Sequence, residues 1–409
     1  MLNVTRVPPN YRRALCAFKQ AFRQSRNFDS FAHMACALIV AQAWTVSDLS
    51  KRLSRRDEKE RRTYSRFFSK GAWSQKAVAQ ALLSYIYNRI AIDDDQQLKL
   101  HIDDTFARKF ADATDGVGNF RNGSTGEIED GNVIVTSCLQ IKDLYFPFLP
   151  VLYLGKDEAE QRSEPFQTKL EIAVEEIIEP LQLPAGAALT VVADSAYYSK
   201  EVVQRICKQG HDVICRLKSN KHVHPPGAVG SYRVRDYAEE HDLSFEEVTV
   251  TVRGTEKTYC VAEDIVVLDG ADRKIKLVVT EDETGSRRYY MSTDLDQPAV
   301  EILEFAGDRW NIETYHQQAA EQFGMKSYEL ESKTGIERFL QLVCVAWTLV
   351  VLEEIGDEEP LWADNATIGN RHNQAANSFI IETLIEFSEA VGSSLPEAER
   401  RQIARRYVA

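Results

Sequence analysis

The sequence predicts an α/β protein with an all-α N-terminal region, and three observations predict it. Up to about residue 92, apolar residues recur at three- and four-residue spacing. From about residue 97 the period changes to two. Three strands then give way to alternating helix and strand, in the order β-β-β-α-β-α-β.

The N-terminal helices are "YRRALCAFKQAFRQS", "FAHMACALIVAQAW", "TVSDLSKRLSRR" and "WSQKAVAQALLSYIYNRI", with Ser47 and Ser74 as candidate N-caps. Between the last two lies "KRLSRRDEKERRTYSRFFSK". Its Arg55, Arg56, Arg61, Arg62 and Arg66 are interleaved with Tyr64, Phe67 and Phe68. Cations that neutralise phosphates, and aromatics that pack or stack, are the ingredients of a nucleic-acid surface. Charge agrees. Residues 1–92 hold 17 Lys or Arg against 5 Asp or Glu, although the whole chain carries a net charge of -13. One basic module attached to an acidic body is expected, DNA-binding in its composition.

The core strands are "LKLHIDD", "NVIVTSCLQI" and "FPFLPVLYLG", the first two joined by a polar, Gly-rich segment at 114–132. "QTKLEIAVEEIIEPL" reads as an amphipathic helix and "ALTVVADSAY" as a buried strand. "SKEVVQRICKQG" is a helix stopped by Gly210, and "HDVICRLKSN" a further strand. A meander followed by α-β crossovers is the ribonuclease-H-like plan. Residues 219–293 turn β-rich, and helices return after Pro298, a good first helical residue. The expected division is 1–95 basic helical domain, 96–218 core, 219–295 β-rich insertion, 296–355 second part of the core, and 356–409 helical tail.

The 409 residues suffice for two or three domains, and 44% hydrophobic with 27% charged content is that of a globular protein. The apolar stretch from Arg338 is short for a membrane span and suits a buried helix. Seven scattered cysteines without a CxxC pair fit reduced thiols, and no secretory leader is evident, so a cytoplasmic location is expected.

Acids stand at the ends of strands where apolar residues belong. Asp103 and Asp104 close the first strand, and Asp194 closes "VVAD". Each has a bland reading, a solvated strand end or a cap for the next helix. A third acid, Glu313, shares a helix face with Ile302, Ala306, Arg309, His316 and Ala320, and could simply pair with Arg309. Taken together in this strand order, three carboxylates suggest a site for Mg²⁺ or Mn²⁺ rather than zinc. Two such ions can activate the attacking oxygen and stabilise the leaving one in phosphodiester cleavage.

"IDDT", "VVADSAY" and "RWNIE…GM…YEL" resemble the three active-site blocks of DDE insertion-sequence transposases, most closely the superfamily related to insertion sequence four. The resemblance covers roughly residues 30–350. It implies that Asp104, with Asp103 as runner-up, Asp194 and Glu313 are catalytic and bind two metal ions. It also implies a β-rich insert between the second Asp and the Glu, for which 118 residues leave room. Strand cleavage, joining to target DNA and a homodimer on double-stranded DNA follow from the same likeness. The family's Tyr, Arg, Glu, Lys signature is half kept: Arg309 and Glu313 are in place, while Ala306 and Ala320 stand at the Tyr and Lys positions. That removes a hydroxyl and a cation from the DNA path, for which Lys326, His316 or Tyr315 are candidate substitutes. The alternative expectation is therefore a domesticated or degenerate relative that binds DNA without transposing it. Arg108 and Lys109 are candidate phosphate contacts or a solvated turn. His222 and His224 form a weak metal candidate, and Cys207 and Cys215 read as core. A haloacid-dehalogenase phosphatase needs Asp-x-Asp on a parallel sheet, which the meander argues against.

Overall fold

The computed structural model describes residues 4–52, 61–93, 96–110, 113–225, 230–241, 243–252, 254–269, 273–353, 367–392 and 395–408. Helices α1 (Pro9–Cys16), α2 (Ser25–Val40), α3 (Val46–Arg52), α4 (Arg61–Lys70) and α5 (Gln75–Arg89) lead the chain. Ser74 caps α5 as expected, its hydroxyl accepting from the Ala77 amide at 3.3 Å. Ser47 does not cap α3. Thr45 does, accepting from the Asp48 amide at 3.1 Å and donating to the Asp48 carboxylate at 2.6 Å. The acid three residues on makes Thr45 the position from which both bonds can close.

Next come β1 (Gln97–Arg108), β2 (Gly118–Arg121), β3 (Ile128–Ile141), β4 (Leu144–Pro147) and β5 (Val151–Leu152). The segment expected as a Gly-rich link thus contains a short strand, and the third core strand is broken before Pro150, which lacks the amide that pairing needs. After α6 (Lys156–Gln161), α7 (Lys169–Glu171) runs into a π-helical turn at Ile172–Ile178. The buried pairs Ile172/Ile177 and Ala173/Ile178 are five apart, which the wider turn sets on one face. Then follow β6 (Ala188–Ala193), α8 (Lys200–Lys208), β7 (Asp212–Leu217), β8 (His222–His224), β9 (Tyr232–Arg233) and α9 (Val234–Glu240). The insertion strands are β10 (Glu246–Val252), β11 (Thr255–Leu268), β12 (Lys274–Glu281) and β13 (Arg287–Ser292). Helices α10 (Ala299–Asp308), α11 (Trp310–Phe323), α12 (Lys333–Leu352), α13 (Ile368–Ala390) and α14 (Glu397–Val408) end the chain.

The ribonuclease-H-like plan is present. β4 and β5 pair with β3, β3 with β1 antiparallel, β1 with β6 parallel, and β6 with β7 parallel. The β-rich insertion is not a separate sheet. β13 pairs antiparallel with β7, and the ladder continues through β12 to β11, so thirteen strands of the described residues form one sheet. Helix α12, the one described helix long and apolar enough to cross a membrane, is 94% buried inside the protein. Its Arg338 donates to the Phe68 carbonyl at 2.8 Å and lies over the Trp73 ring, which fastens the N-terminal helices to the core.

The helix expected through Ala306 and Glu313 is two helices meeting at Arg309. Leu303 of α10 packs in a small apolar cluster with Val250, Val261 and Val278 of the insertion. His316 of α11 reaches β3, its Nε2 within 2.7 Å of Thr136 Oγ1.

Candidate active site

Strand β1 alternates strictly. Leu98, Leu100 and Ile102 are buried on one face in the main core. Lys99, His101 and Asp103 occupy the other face. There Lys99 pairs with Asp308 at 2.5 Å, and His101 Nε2 lies 2.7 Å from Gln140 Oε1. Asp103 then meets Arg309, with Nη1 to Oδ2 at 2.8 Å, and Arg309 Nη2 donates to Glu313 one turn along. Asp194 belongs to this face as well. Ile102 pairs with Ala193, so Asp103 and Asp194, the residue after β6, come side by side on adjacent parallel strands. Asp103 and Asp104 do not close the first strand as expected, because β1 runs on to Arg108 against β3. Val192, two residues before Asp194, packs under α10 with Ile302.

Asp104 points the other way, as the pleat requires. Its Oδ1 accepts from Lys169 Nζ and from the Tyr197 hydroxyl, both at 2.9 Å. Of the two candidates, Asp103 rather than Asp104 joins Glu313 around Arg309. The loop after β6 is tied down from both sides, because Asp194 Oδ1 accepts from the Ala196 amide at 2.7 Å while Tyr197 is held by Asp104. Asp194 thus does cap the turn that follows it, and it faces the acids too.

Burial pushes the Asp103 carboxyl up to about 7; Arg309 and the Asp104 amide oppose that rise, and Asp194 and Asp104 add to it. Burial works against the Arg309 charge, but Asp103, Glu313 and Asp194 more than offset it and hold the guanidinium above its ordinary range. Burial keeps His101 neutral, its imidazole lowered to about 4, and its Nδ1 has no partner among the described residues. His316 is lowered to about 3 by burial, then by Lys326 and Arg309.

Among the described residues, no three acidic, imidazole or thiol groups converge where they stand on one metal position. The Arg309 guanidinium lies between Asp103 and Glu313 instead. The chemistry of the three acids still suits a hard divalent cation, since all are carboxylate oxygens on a common face.

Residues 18–236, more than half of the chain, match the DDE superfamily endonucleases. The chain belongs to that superfamily. Residues 173–349 also match the transposase DDE domain. No curated protein matches it. Among solved structures it is similar to a piggyBac transposase synaptic complex with hairpin DNA, at 11% identity and a TM-score of 0.45 over 97% of this chain and 81% of that one.

Other expected site residues distribute unevenly. Arg61, Arg62 and Arg66 stand exposed on α4, whereas Arg55 and Arg56 lie outside the described residues. The interleaved aromatics do not offer a stacking surface: Tyr64, Phe67 and Phe68 are buried, and Phe67 stacks on Trp73 at 4.9 Å. Helical spacing explains this for the inner positions, since 64, 67 and 68 share one face and Arg62 and Arg66 the other, while Arg61 is exposed at the first position of α4. Lys109 is committed inside, donating to the carbonyls of Lys326 and Tyr328 at 3.0 and 2.7 Å over the Tyr328 ring, and burial lowers it to about 8. Arg108 is exposed and pairs with Glu129 at 3.3 Å. Tyr315 is fully buried against Trp347, and His316 is spoken for by Thr136, so neither replaces the absent Tyr and Lys. His222 and His224 bond to Ser231 and Gly230 in their own loop, and Cys215 is core. Sequence reasoning passed over His101, Lys169 and Tyr197; the polar face of β1 was the available signal for the first, while long-range contacts alone reveal the other two.

Proposed function

We propose that this member of the DDE superfamily is a transposase. It would cut phosphodiester bonds at the ends of a mobile DNA segment and join the freed 3′-hydroxyls to target DNA. The observation that supports this most is the grouping of Asp103 and Asp194, on adjacent parallel strands, with Glu313 of α11 on one face around Arg309. Asp103, Asp194 and Glu313 would hold Mg²⁺ or Mn²⁺, which when bound supplies activation of the attacking oxygen and stabilisation of the leaving one. Arg309 fixes the carboxylates of Asp103 and Glu313 with two separate N–H groups, and its permanent charge can also steady a phosphate. Asp104 acts through Tyr197 and Lys169, setting the loop that follows Asp194. The exposed arginines of α4 offer phosphate contacts to double-stranded DNA away from the acids. Because each transposon end needs its own acidic cluster, we include a homodimer in the proposal.

A second reading, a DNA-binding relic, is favoured by one feature: Arg309 already satisfies two of the three acids, while Ala306 and Ala320 lack the family's DNA contacts. One experiment separates the two. Plasmid DNA carrying the gene's own flanks is incubated with the protein in Mg²⁺ or Mn²⁺, and nicking, excision and joined products are counted. Asp103→Asn and Asp194→Asn are expected to abolish cleavage, and Asp104→Asn to weaken it. Undiminished cleavage by Asp194→Asn would overturn the assignment. Specific binding of the flanks by the wild type with no nicking in Mn²⁺ would establish the relic.

A further inference from the structure

What holds Arg309 in place lies behind it, in a polar layer between β1 and β3. We infer that Gln140 is a positioning residue of the acidic site, an inference that rests on the function proposed above. It ties the residues on either side of Arg309 to the sheet and so aims the guanidinium at Asp103 and Glu313.

The strand register builds this layer. Lys99 on β1 pairs with Gln140 on β3, and directly opposed residues of an antiparallel pair share a face. Gln140 therefore stands with Lys99, His101 and Asp103, and it is 5% exposed. A primary amide offers two donor hydrogens and two acceptor lone pairs, and here every one has a partner. Nε2 donates to the Lys142 carbonyl at 3.1 Å and to Asp308 Oδ2 at 3.3 Å. Those two acceptors fix which end of the amide is which. Oε1 then accepts from Asn311 Nδ2 at 3.2 Å and from His101 Nε2 at 2.7 Å, so His101 carries its proton on Nε2. One side chain thus joins β1, the turn after β3, the last residue of α10 and the second residue of α11.

Position gives these bonds their meaning. Arg309 alone separates α10 from α11, and no side chain caps the start of α11. An uncapped helix start is the weak point of such a junction, because its first amides lack intrahelical partners. Asp308 and Asn311 flank Arg309, and Gln140 holds both. Lys99 reinforces the α10 side, with Nζ 2.5 Å from Asp308 and 4.0 Å from the centre of the Phe305 ring. In front, the two N–H groups of Arg309 reach Asp103 and Glu313. Glu313 lies one turn beyond Arg309, so a junction free to tilt would carry the guanidinium and that acid away from Asp103 together. The turn after β3 is itself strained to make the fit. Lys142 adopts φ +55°, a left-handed backbone rare for a residue other than glycine, and its carbonyl is one of the four partners of Gln140.

The test uses the full chain. Hydrogen exchange is followed by mass spectrometry without metal or DNA, and nicking of plasmid carrying the gene's flanks is measured in Mg²⁺ over a range of DNA concentrations. The variants are Gln140→Leu, the pair Gln140→Glu with Asp308→Asn, and Ser74→Ala, which removes the α5 cap and is a destabilised control away from the site. Gln140→Leu is expected to speed exchange across residues 305–316 while α12 and β6 keep wild-type protection. Its kcat is expected to fall by about 10²-fold, the order that a misplacement of ~1 Å produces, with KM unchanged. The paired variant reverses the polarity of the 140–308 bond at constant net charge and should recover most of both. Exchange that quickens throughout the chain, the pattern expected of Ser74→Ala, or a raised KM at wild-type kcat overturns the positioning role. Gln140 would then serve general stability or DNA binding. Wild type that cuts no DNA removes the transposase reading instead. Exchange quickened only at the junction in Gln140→Leu would still uphold the grip on Arg309, and unchanged exchange there would overturn it as well.

Discussion

Gly324 ends α11, the helix that carries Glu313, in the left-handed conformation at φ +64°. An alanine Cβ there would lie 2.1 Å from Trp44 Cγ and 2.4 Å from Cδ2, so the indole must move. The left-handed backbone costs a non-glycine residue about 1–2 kcal/mol. Forcing a methyl group into a packed contact costs about 1–3 kcal/mol more. Gly324→Ala is therefore expected to destabilise by about 3–4 kcal/mol. With an unfolding entropy of about 2.1 cal/mol/K per residue, the 409 residues give about 0.9 kcal/mol/K and a melting temperature lowered by about 4 °C. Gly285 supplies the control, for it has φ +77° and nothing within 4 Å of its added Cβ. Gly285→Ala should lose about 1–2 °C. The assay is thermal melting followed by circular dichroism, on both variants, on Trp44→Ala and on Gly324→Ala with Trp44→Ala. Removing the indole should relieve the clash but not the backbone cost, giving a coupling of about 1–3 kcal/mol in the cycle. If Gly324→Ala melts no lower than Gly285→Ala, Trp44 does not hold the end of α11 and the reasoning fails.

Glu337 is pushed up by burial from 4.5 to about 7, and the stability of its protonated form is full below pH 4.5 and lost as pH rises through 7. A shift of that size corresponds to about 3 kcal/mol at ~1.4 kcal/mol per unit. Glu337→Gln should match wild type at pH 4 and melt higher at pH 8.5; equal melting at pH 8.5 refutes it. Lys109→Met should cost about 2 kcal/mol through its two carbonyl bonds while leaving the salt dependence of DNA binding unchanged. A reduced salt slope would instead return Lys109 to the DNA surface. Replacing Arg61, Arg62 and Arg66 together by Gln should lower that slope by up to about 2.7, three phosphate contacts' worth, with melting unchanged. A wild-type slope would remove α4 from the DNA path.

The meander, the crossovers and the acids were legible because buried strands impose a period of two and a carboxylate breaks it, but Asp103 and Asp104 were read as closing a strand that runs on to Arg108. The same period separates the two aspartates: in "LKLHIDD" Asp103 falls in step with Lys99 and His101, and Asp104 with the leucines. The arginines of α4 were read correctly as exposed, but the aromatics between them needed the helical period to be placed inside. What sequence could not supply were partners distant along the chain. Lys169 and Tyr197 converge on Asp104 from 65 and 93 residues away, and the pairing of β13 with β7 depends on a 70-residue excursion returning in register. Ser47 lost to Thr45 for a local reason, the position of Asp48.

That return has a consequence for anyone seeking a smaller protein. Excising residues 219–293 would not release a tidy catalytic unit. It would strip the outer side of β7, whose Ile214, Cys215, Arg216 and Leu217 now pair with β13, and leave a bare row of amides and carbonyls one strand from Asp194. Unprotected edges recruit other chains. The trimmed product is expected to self-associate through β7, so the insertion is also the selvedge that keeps the woven sheet from unravelling into its neighbours.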